Sequence, residues 1–213
     1  DRVVLVVDDN LDVVNYLNDI LSDYYKVISA NNGKIGVEIA MAEVPNLIIS
    51  DVMMPEKSGI DLCKELKNYH QTSHIPIILL TAKLGDKDRL EGMKIGADDY
   101  ITKPFDSQFL LARIDNLFKN RKKLIKFYNE SSEKLSVTKN PNIEDEFLLK
   151  LEQIVIEKYN GNDISIPEIA SELGFSRSSL YRKVKAVTGE SINSFVKRVR
   201  LQKAAKLISE NQL

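Results

Sequence analysis

Short apolar runs alternate with amphipathic segments along the first 120 residues of the chain. The runs are rich in β-branched residues and lack polar alternation, as is typical of parallel strands that are buried on both faces. They predict five strands, at Val3–Val7, Tyr25–Ala30, Leu47–Ser50, Ile77–Leu80 and Tyr100–Ile101.

The segments between these strands repeat apolar residues at helical spacing. They predict helices at Leu11–Leu21, Lys34–Ala42, Ile60–Asn68 and Asp86–Lys94, and a long helix that begins near Asp106. Five strand–helix units in succession predict the α/β class, with a doubly wound, five-stranded parallel sheet joined by right-handed crossovers.

The last third of the chain has a helical pattern only. An amphipathic helix is predicted at Phe147–Tyr159, and Ser165, with Glu168 three residues later, predicts a capping box at the start of a second helix. Gly174 favours a tight left-handed turn and Ser176 favours an N-cap, so a third helix is expected directly afterwards. Helix, short glycine turn and helix together predict a helix-turn-helix domain that is entirely α-helical.

The distribution of charge divides the chain in a similar way. Residues 1–119 carry 13 basic and 19 acidic residues, whereas residues 176–206 carry nine basic residues and one acidic residue, Glu190. Such an asymmetry indicates parts with different partners. We predict a domain at residues 1–120, a linker at residues 121–146 and a helical domain at residues 147–213.

The composition excludes several classes of protein. The chain has 213 residues, 43% hydrophobic and 29% charged, which is typical of a globular protein. Its longest apolar runs fall far short of the roughly 20 residues that a membrane span requires, so we expect no membrane contact. One cysteine, Cys63, and two histidines, His70 and His74, argue against a disulfide framework and against a zinc site. We therefore expect a reducing compartment, the cytoplasm.

Five polar residues stand where the predicted strands end. Asp8 and Asp9 follow the first strand, Asp51 the third, Thr81 the fourth and Lys103 the fifth. In a doubly wound sheet, ligands bind beyond these carboxyl ends. Three crowded carboxylates need a cation, and Mg²⁺ held by carboxylates, water and a phosphate suits them. A carboxylate that remains free is a nucleophile toward phosphorus, with the lysine and the threonine available for the phosphoryl oxygens.

Each of these residues also has a simpler interpretation when it is taken singly. Asp8 and Asp9 are good N-cap residues for the following helix, Asp51 suits a turn before Pro55, and Lys103 suits a solvated surface. Their common position at the ends of four strands favours one shared site.

Four stretches, Val7-Asp8-Asp9-Asn10, Asp51-Val52-Met53-Met54-Pro55, Thr81-Ala82 and Lys103-Pro104-Phe105, resemble the motifs of the response-regulator receiver domain of two-component signalling. The resemblance covers residues 1 to about 120. It implies a flavodoxin-like sheet with the strand order 2-1-3-4-5, and a histidine kinase as the phosphodonor.

The resemblance also implies a role for individual residues. Asp51 is the phosphoacceptor, Thr81 and Lys103 contact the phosphoryl group, and Tyr100 is the switch aromatic whose exposure changes as Thr81 moves. The implied Mg²⁺ ligands are Asp8, Asp9, Asp51 and the backbone carbonyl of Met53. Phosphorylation is expected to favour a homodimer.

The third helix of the last part has a polar, basic face, with Ser178, Tyr181, Arg182 and Lys185 at i, i+3, i+4 and i+7 spacing. Such a face fits a major groove, although spacing alone leaves a helical hairpin with a solvated cationic face as the alternative.

The stretch Ile169–Lys185, together with Thr188-Gly189 and Ser194–Leu201, resembles the first half of an AraC-type DNA-binding domain. This resemblance implies that Ser178, Tyr181 and Arg182 face bases and that Arg177 and Lys185 lie nearer to phosphates. That type of domain has two helix-turn-helix units, and we expect the chain, which ends at Leu213, to be a truncated piece of a longer one.

The combined resemblance predicts a response regulator in which aspartate phosphorylation controls sequence-specific DNA binding and transcription. Its parent is expected to be a hybrid sensor kinase anchored in the inner membrane, or a stand-alone regulator. The alternative is a phosphorelay or protein-docking module in which this fragment does not bind DNA. A metal-dependent phosphatase is disfavoured, because Asn10 and Met53 stand where that class would need a second acid. We expect no enzymatic activity of the fragment beyond self-dephosphorylation.

Overall fold

The computed structural model describes residues 2–82, 95–130, 143–157 and 165–210. The chain folds into two compact units, residues 1–124 and residues 125–213. The helix predicted at Asp86–Lys94 lies outside the described residues. The predicted domain limits, at residues 120 and 146, stay a prediction.

The first unit contains a sheet of five parallel strands. They are β1 at Val3–Val7, β2 at Lys26–Ala30, β3 at Leu47–Asp51, β4 at Ile77–Thr81 and β5 at Asp99–Thr102. Their order is β2-β1-β3-β4-β5, and the four neighbouring pairs are all parallel. The predicted fold class and strand order are therefore confirmed.

Four described helices accompany this sheet. They are α1 at Leu11–Leu21, α2 at Gly33–Glu43, α3 at Gly59–Asn68 and α4 at Ser107–Glu130. The strands and the helices α1 to α3 lie within two residues of their predicted limits, because long apolar runs and clear helical spacing define them. Helix α4 continues through the first ten residues of the predicted linker.

The hydrophobic core of the first unit lies on both faces of the sheet. Alternate residues of β1 enter different clusters: Leu5 and Val7 pack on one face, whereas Val4 and Val6 pack on the other. A strand whose successive side chains are all buried needs helices on both sides, and this is the reason for its continuous apolar sequence. The burial fixes the end of each strand, where the polar residues begin.

The second unit is helical in its described part. Its helices are α5 at Ile143–Glu157, α6 at Ile166–Glu172, α7 at Arg177–Thr188 and α8 at Ile192–Glu210. Their apolar faces form one cluster. None of the described helices of the chain combines the length and the apolar composition that are needed to cross a membrane.

The turn between α6 and α7 has the predicted geometry. Gly174 has a φ of +73°, in the left-handed region that favours glycine. The hydroxyl of Ser176 accepts a hydrogen bond from the amide of Ser179 at 3.1 Å, as an N-cap does. Ser165 does precede α6, but the predicted capping bond to its hydroxyl is wrong. Its backbone carbonyl accepts from the Glu168 amide instead, at 3.1 Å.

One lysine of α7 lies inside this helical core. Lys183 is fully buried, and its ammonium lies 5.0 Å from the centroid of the Phe147 ring on α5. The Phe147 ring in turn packs against Phe175, with 5.6 Å between the centroids. A desolvated cation over an aromatic face is attracted to it by about 2 kcal/mol, so Lys183 connects α7 to α5.

We expect Lys183→Ala to destabilise the second unit by about 2–5 kcal/mol, because it removes a long buried side chain from a packed core. Lys185→Ala, two residues further along the same helix at an exposed position, is the matched control and should change stability by no more than about 0.5 kcal/mol. Hydrogen exchange of the full chain, followed on peptides from α5 and α7, measures the difference. Equal protection in the two variants would contradict this packing role.

Candidate functional site

The carboxyl ends of the strands bring three of the predicted site residues into direct contact. Asp8 follows β1, Asp51 ends β3 and Lys103 follows β5. Because the chain continues from β1 to β2 on one side and returns to β3 on the other, the two aspartates lie at the point where the winding direction reverses.

The ammonium of Lys103 lies between the two carboxylates. Its Nζ is 2.7 Å from Oδ2 of Asp8 and 2.5 Å from Oδ1 of Asp51. Asp8 is 2% exposed and Asp51 is 8% exposed, so both negative charges are largely removed from water. Two such charges repel each other unless a cation lies between them, and Lys103 supplies that cation.

The remaining carboxylate oxygens are held by backbone amides. Oδ1 of Asp8 accepts from the amide of Asn10 at 2.9 Å, and Oδ2 of Asp51 accepts from the amide of Met53 at 2.7 Å. Asn10 is the N-cap of α1, so neither Asp8 nor Asp9 has the capping role that was the simpler interpretation. The bond from the Met53 amide places Asp51 in a turn, as the simpler interpretation expected, and the contact with Lys103 places it in the site as well.

The carboxylates also determine the protonation of Lys103. Burial lowers the pKa of its ammonium, but the hydrogen bonds to Asp51 and Asp8 outweigh burial, and the net result is a raised pKa. Lys103 is therefore a fixed positive charge at neutral pH. The Lys103–Pro104 peptide bond is cis.

Gly59, at the start of α3, is a site residue that sequence reasoning missed. A Cβ at this position would collide with the backbone oxygen of Asp51 and lie 2.9 Å from Oγ of Ser50. Its amide donates to the carbonyl of Val52 at 3.0 Å. The absence of a side chain thus lets α3 approach the backbone of Asp51. The available signal was a glycine directly before the helix predicted at Ile60–Asn68, where a close approach of the backbone needs no side chain.

The predicted metal ligands are brought together only in part. Asp8 and Asp51 share Lys103, whereas Asp9 is exposed. Among the described residues, no group of three or more His, Cys, Asp and Glu side chains lies close enough to hold a metal ion. The side chain of Met53 is exposed, and the role of its carbonyl stays a prediction.

Thr81 ends β4, the strand beside Asp51, and Tyr100 lies on β5, the strand beyond β4. Leu80 is opposite Asp51 in the sheet, so Thr81 is the next residue beyond it, and the amide of Lys103 donates to the Thr81 carbonyl at 2.7 Å. Tyr100 is half-buried and packs against the same hydrophobic cluster as Cys63.

The hydroxyl of Tyr100 is buried and has no hydrogen-bond partner among the described residues. Burial and, to a smaller extent, the neighbouring Cys63 raise the pKa of Tyr100 to about 12, so the hydroxyl stays neutral. Its movement as a switch stays a prediction.

In the second unit, the predicted DNA-facing residues share the outer face of α7. Arg177, Ser178 and Lys185 are exposed, whereas Tyr181 and Arg182 are half-buried. The guanidinium carbon of Arg177 lies 5.7 Å from the centroid of the Tyr181 ring. The five residues thus lie on one side of the helix, and their contact with DNA stays a prediction.

Two basic residues of the same region have partners within the second unit, which the count of charges does not show. Lys183 is buried, as described above. Arg198 donates from Nε and Nη2 to Oε1 of Glu190, at 3.0 Å and 2.8 Å, and lies over the ring of Phe195. Sequence alone gave no sign that these positive charges have partners inside the unit.

Two family models match the chain. Residues 4–115 match the response regulator receiver domain. Residues 155–197 match the bacterial regulatory helix-turn-helix proteins of the AraC family. Both resemblances deduced from the motifs are thereby confirmed.

Curated relatives include longer proteins. The Histidine kinase P4 of Formosa agariphila is 36% identical over 211 residues, which are 99% of this chain and 15% of that protein. The probable transcriptional regulator ycf27 of Cyanophora paradoxa is 44% identical over 120 residues, 55% of this chain and 48% of that protein. The chain therefore spans less than half of the length of either relative.

Solved structures match the first unit. The signal receiver domain of a signal transduction histidine kinase from Syntrophus aciditrophicus is 35% identical, with a TM-score of 0.53, and the match covers 56% of this chain and 92% of that one. The receiver domain of the Francisella response regulator 1452 is 31% identical, with a TM-score of 0.53, covering 56% of this chain and 98% of that one.

We expect Tyr100→Phe to leave the stability of the first unit unchanged or to raise it by up to about 1 kcal/mol, because it removes a buried hydroxyl that has no partner in the described structure. Tyr25→Phe is the matched control. The hydroxyl oxygen of Tyr25 accepts a hydrogen bond from Arg2, so removal of this hydroxyl should cost about 0.5–1.5 kcal/mol. Urea denaturation followed by circular dichroism measures both, and a larger loss for Tyr100→Phe would show that its hydroxyl is bound.

Proposed function

Through residues 4–115 the chain belongs to the response regulator receiver family, and we propose that phosphorylation of its Asp51 controls sequence-specific DNA binding by the second unit. The observation that carries this proposal is the ammonium of Lys103 between the buried carboxylates of Asp8 and Asp51. It joins a nucleophile and a fixed positive charge at the edge of the sheet where ligands bind.

Asp51 is the proposed phosphoacceptor. One of its carboxylate oxygens attacks the phosphorus of a phosphodonor, the bond from phosphorus to the leaving group breaks, and an acyl phosphate forms on Asp51. Lys103 already contacts the Asp51 carboxylate, so its positive charge lies where the phosphoryl oxygens arrive. We assign the hydroxyl of Thr81 to the same oxygens.

The site offers carboxylate oxygens, which are the ligands that Mg²⁺ prefers. Asp8 and Asp51 provide buried carboxylate oxygens beside the ammonium of Lys103. Mg²⁺ binds proteins through one or two carboxylates and keeps several waters. We propose Asp8 and Asp51, with Asp9 and the carbonyl of Met53, as its ligands. When bound, the ion supplies positive charge for the carboxylates and the phosphoryl group.

The proposed switch connects phosphorylation to assembly. Movement of Thr81 toward the phosphoryl group changes the surroundings of Tyr100, and the surface of β5 changes with it. A receiver pair is then favoured as a population shift, because phosphate binds one state better than the other. Two chains that are paired in this way present two copies of α7, and binding of adjacent DNA sites becomes cooperative.

The DNA-binding part of the proposal depends on the exposed basic face of α7. Arg177 and Lys185 are exposed there, and both the family model and the Cyanophora relative, named a probable transcriptional regulator, support a role in transcription. Because DNA is the proposed target, we place this activity in the cytoplasm. The Formosa relative is named a histidine kinase, and we propose that the parent of this chain is a hybrid sensor.

We expect acetyl phosphate to label the chain on Asp51, with transfer of the phosphoryl group and release of acetate. Asp51→Asn should abolish labelling, because the amide is a poor nucleophile, and removal of divalent ions with EDTA should abolish it in the wild type. Ser50→Ala, which removes a hydroxyl that donates to the backbone oxygen of Asp51, is the control and should still be labelled. Mass spectrometry measures the phosphoryl group on the chain. A phosphorylated Asp51→Asn variant would exclude Asp51 as the phosphoacceptor.

We expect beryllofluoride, a phosphoryl mimic, to increase both the dimer fraction and the affinity for duplexes selected from a random library. Sedimentation velocity measures the dimer, and fluorescence anisotropy over a salt series measures DNA binding. Affinity should fall steeply with salt, because each neutralised phosphate contributes about 0.9 to the slope. Asp51→Asn should not respond. A chain that is labelled but never binds DNA would support a phosphorelay or docking role instead.

A further inference from the structure

Arg177 and Tyr181 form a cation–π pair at the N-terminal end of α7. They stand one helical turn apart, at i and i+4, and the guanidinium carbon lies 5.7 Å from the centroid of the ring. Arg177 is exposed, whereas Tyr181 is half-buried and packs against the hydrophobic core of the second unit. Packing against the core therefore holds the Tyr181 ring in place, and the guanidinium of Arg177 lies over this ring.

The position of Arg177 favours contact with bases. It is the first residue of α7, and a recognition helix contacts base edges through its N-terminal residues. A guanidinium presents a planar fork that matches O6 and N7 of guanine, and lysine has no such planar group. The ring of Tyr181 restricts the fork before DNA arrives, so less side-chain freedom remains to be lost on binding.

The other predicted DNA-facing residues of α7 are less suited to contact a base, because they have partners within the chain or lie far from the N-terminal end of the helix. The hydroxyl of Ser178 lies 3.1 Å from Oγ of Ser176, within the capping arrangement of the helix. Arg182 is half-buried and already interacts with other groups of the chain. Lys185 is exposed but lies in the last turn of α7, away from the end that contacts bases.

We infer that Arg177 is the residue that selects guanine at one position of the DNA site, and that Tyr181 is a positioning residue that holds the Arg177 guanidinium. This inference rests on the proposed DNA-binding function. It differs from the roles that the family resemblance implies, in which Tyr181 faces a base and Arg177 lies near a phosphate.

The test uses the full chain, activated with beryllofluoride, and a duplex selected from a random library together with all single-base variants of it. Arg177→Lys keeps the charge but loses the fork, so the preference for guanine at one position should fall by about tenfold to hundredfold. Preferences at the other positions should stay. Lys185→Ala is the control, which should weaken all duplexes equally.

Two substitutions of Tyr181 separate its ring from its hydroxyl. Tyr181→Phe keeps the ring and should preserve the guanine preference within about twofold, whereas Tyr181→Leu loses the aromatic face and should reduce it by about twofold to fivefold. Circular dichroism checks that each variant is folded. If Tyr181→Leu does not fold, Arg177→Lys and Tyr181→Phe still decide the assignment.

Each outcome has a distinct meaning. A wild-type chain that binds selected and scrambled duplexes equally would contradict the proposed function itself. Specific binding by the wild type that is unchanged in Arg177→Lys would overturn the inference alone, as would a loss of guanine preference in Arg182→Ala and not in Arg177→Lys. A Tyr181→Phe variant that loses as much preference as Tyr181→Leu would overturn the positioning role of the ring.

Discussion

The ion contact between Lys103 and the carboxylates of Asp8 and Asp51 is the constraint on which the first unit depends. Two carboxylates that are nine-tenths buried repel each other and have lost most of their hydration, so they require a cation at close range. Lys103 reaches both only because β1, β3 and β5 end at the same edge of one parallel sheet. The apolar packing on both faces of the sheet therefore has a chemical consequence: it fixes where the charged side chains meet.

This convergence could be predicted from the sequence because it follows from topology. Buried strands have continuous apolar sequences, parallel strands end together, and the residues that follow them must lie close to one another. The orientation of individual side chains does not follow from the same argument. Asp9 is adjacent to Asp8 and chemically identical, yet it is exposed, and the hydroxyl of Tyr100 is buried without a partner in the described structure. Both depend on packing against elements far apart in the chain, which a local pattern does not contain.

The second unit shows the same limit for charge. Nine basic residues against one acidic residue in residues 176–206 correctly indicated a cationic region, but the count treats every charge as a surface charge. Lys183 lies in the core against Phe147, and Arg198 is paired with Glu190. The positive charge that this region presents to a polyanion is therefore smaller than the count of basic residues suggests. A lysine among apolar residues on a helix is ordinarily assigned to the surface, and burial against an aromatic ring is a tertiary property.

The charge balance at the first site gives a physical reason for the switch that we propose. Before modification, two carboxylates share one ammonium, and the site has an excess of one negative charge. A phosphoryl group on Asp51 would carry about two negative charges near neutral pH in place of one, so the excess would double. Lys103 contacts both aspartates in the unmodified chain, and it cannot compensate this added charge alone. In the proposed mechanism, Mg²⁺ and the hydroxyl of Thr81, one residue beyond the partner of Asp51 in the sheet, supply the remaining contacts to the phosphoryl group. The proposed movement of Thr81 would thus be a response to added charge in a site that the fold has already removed from water.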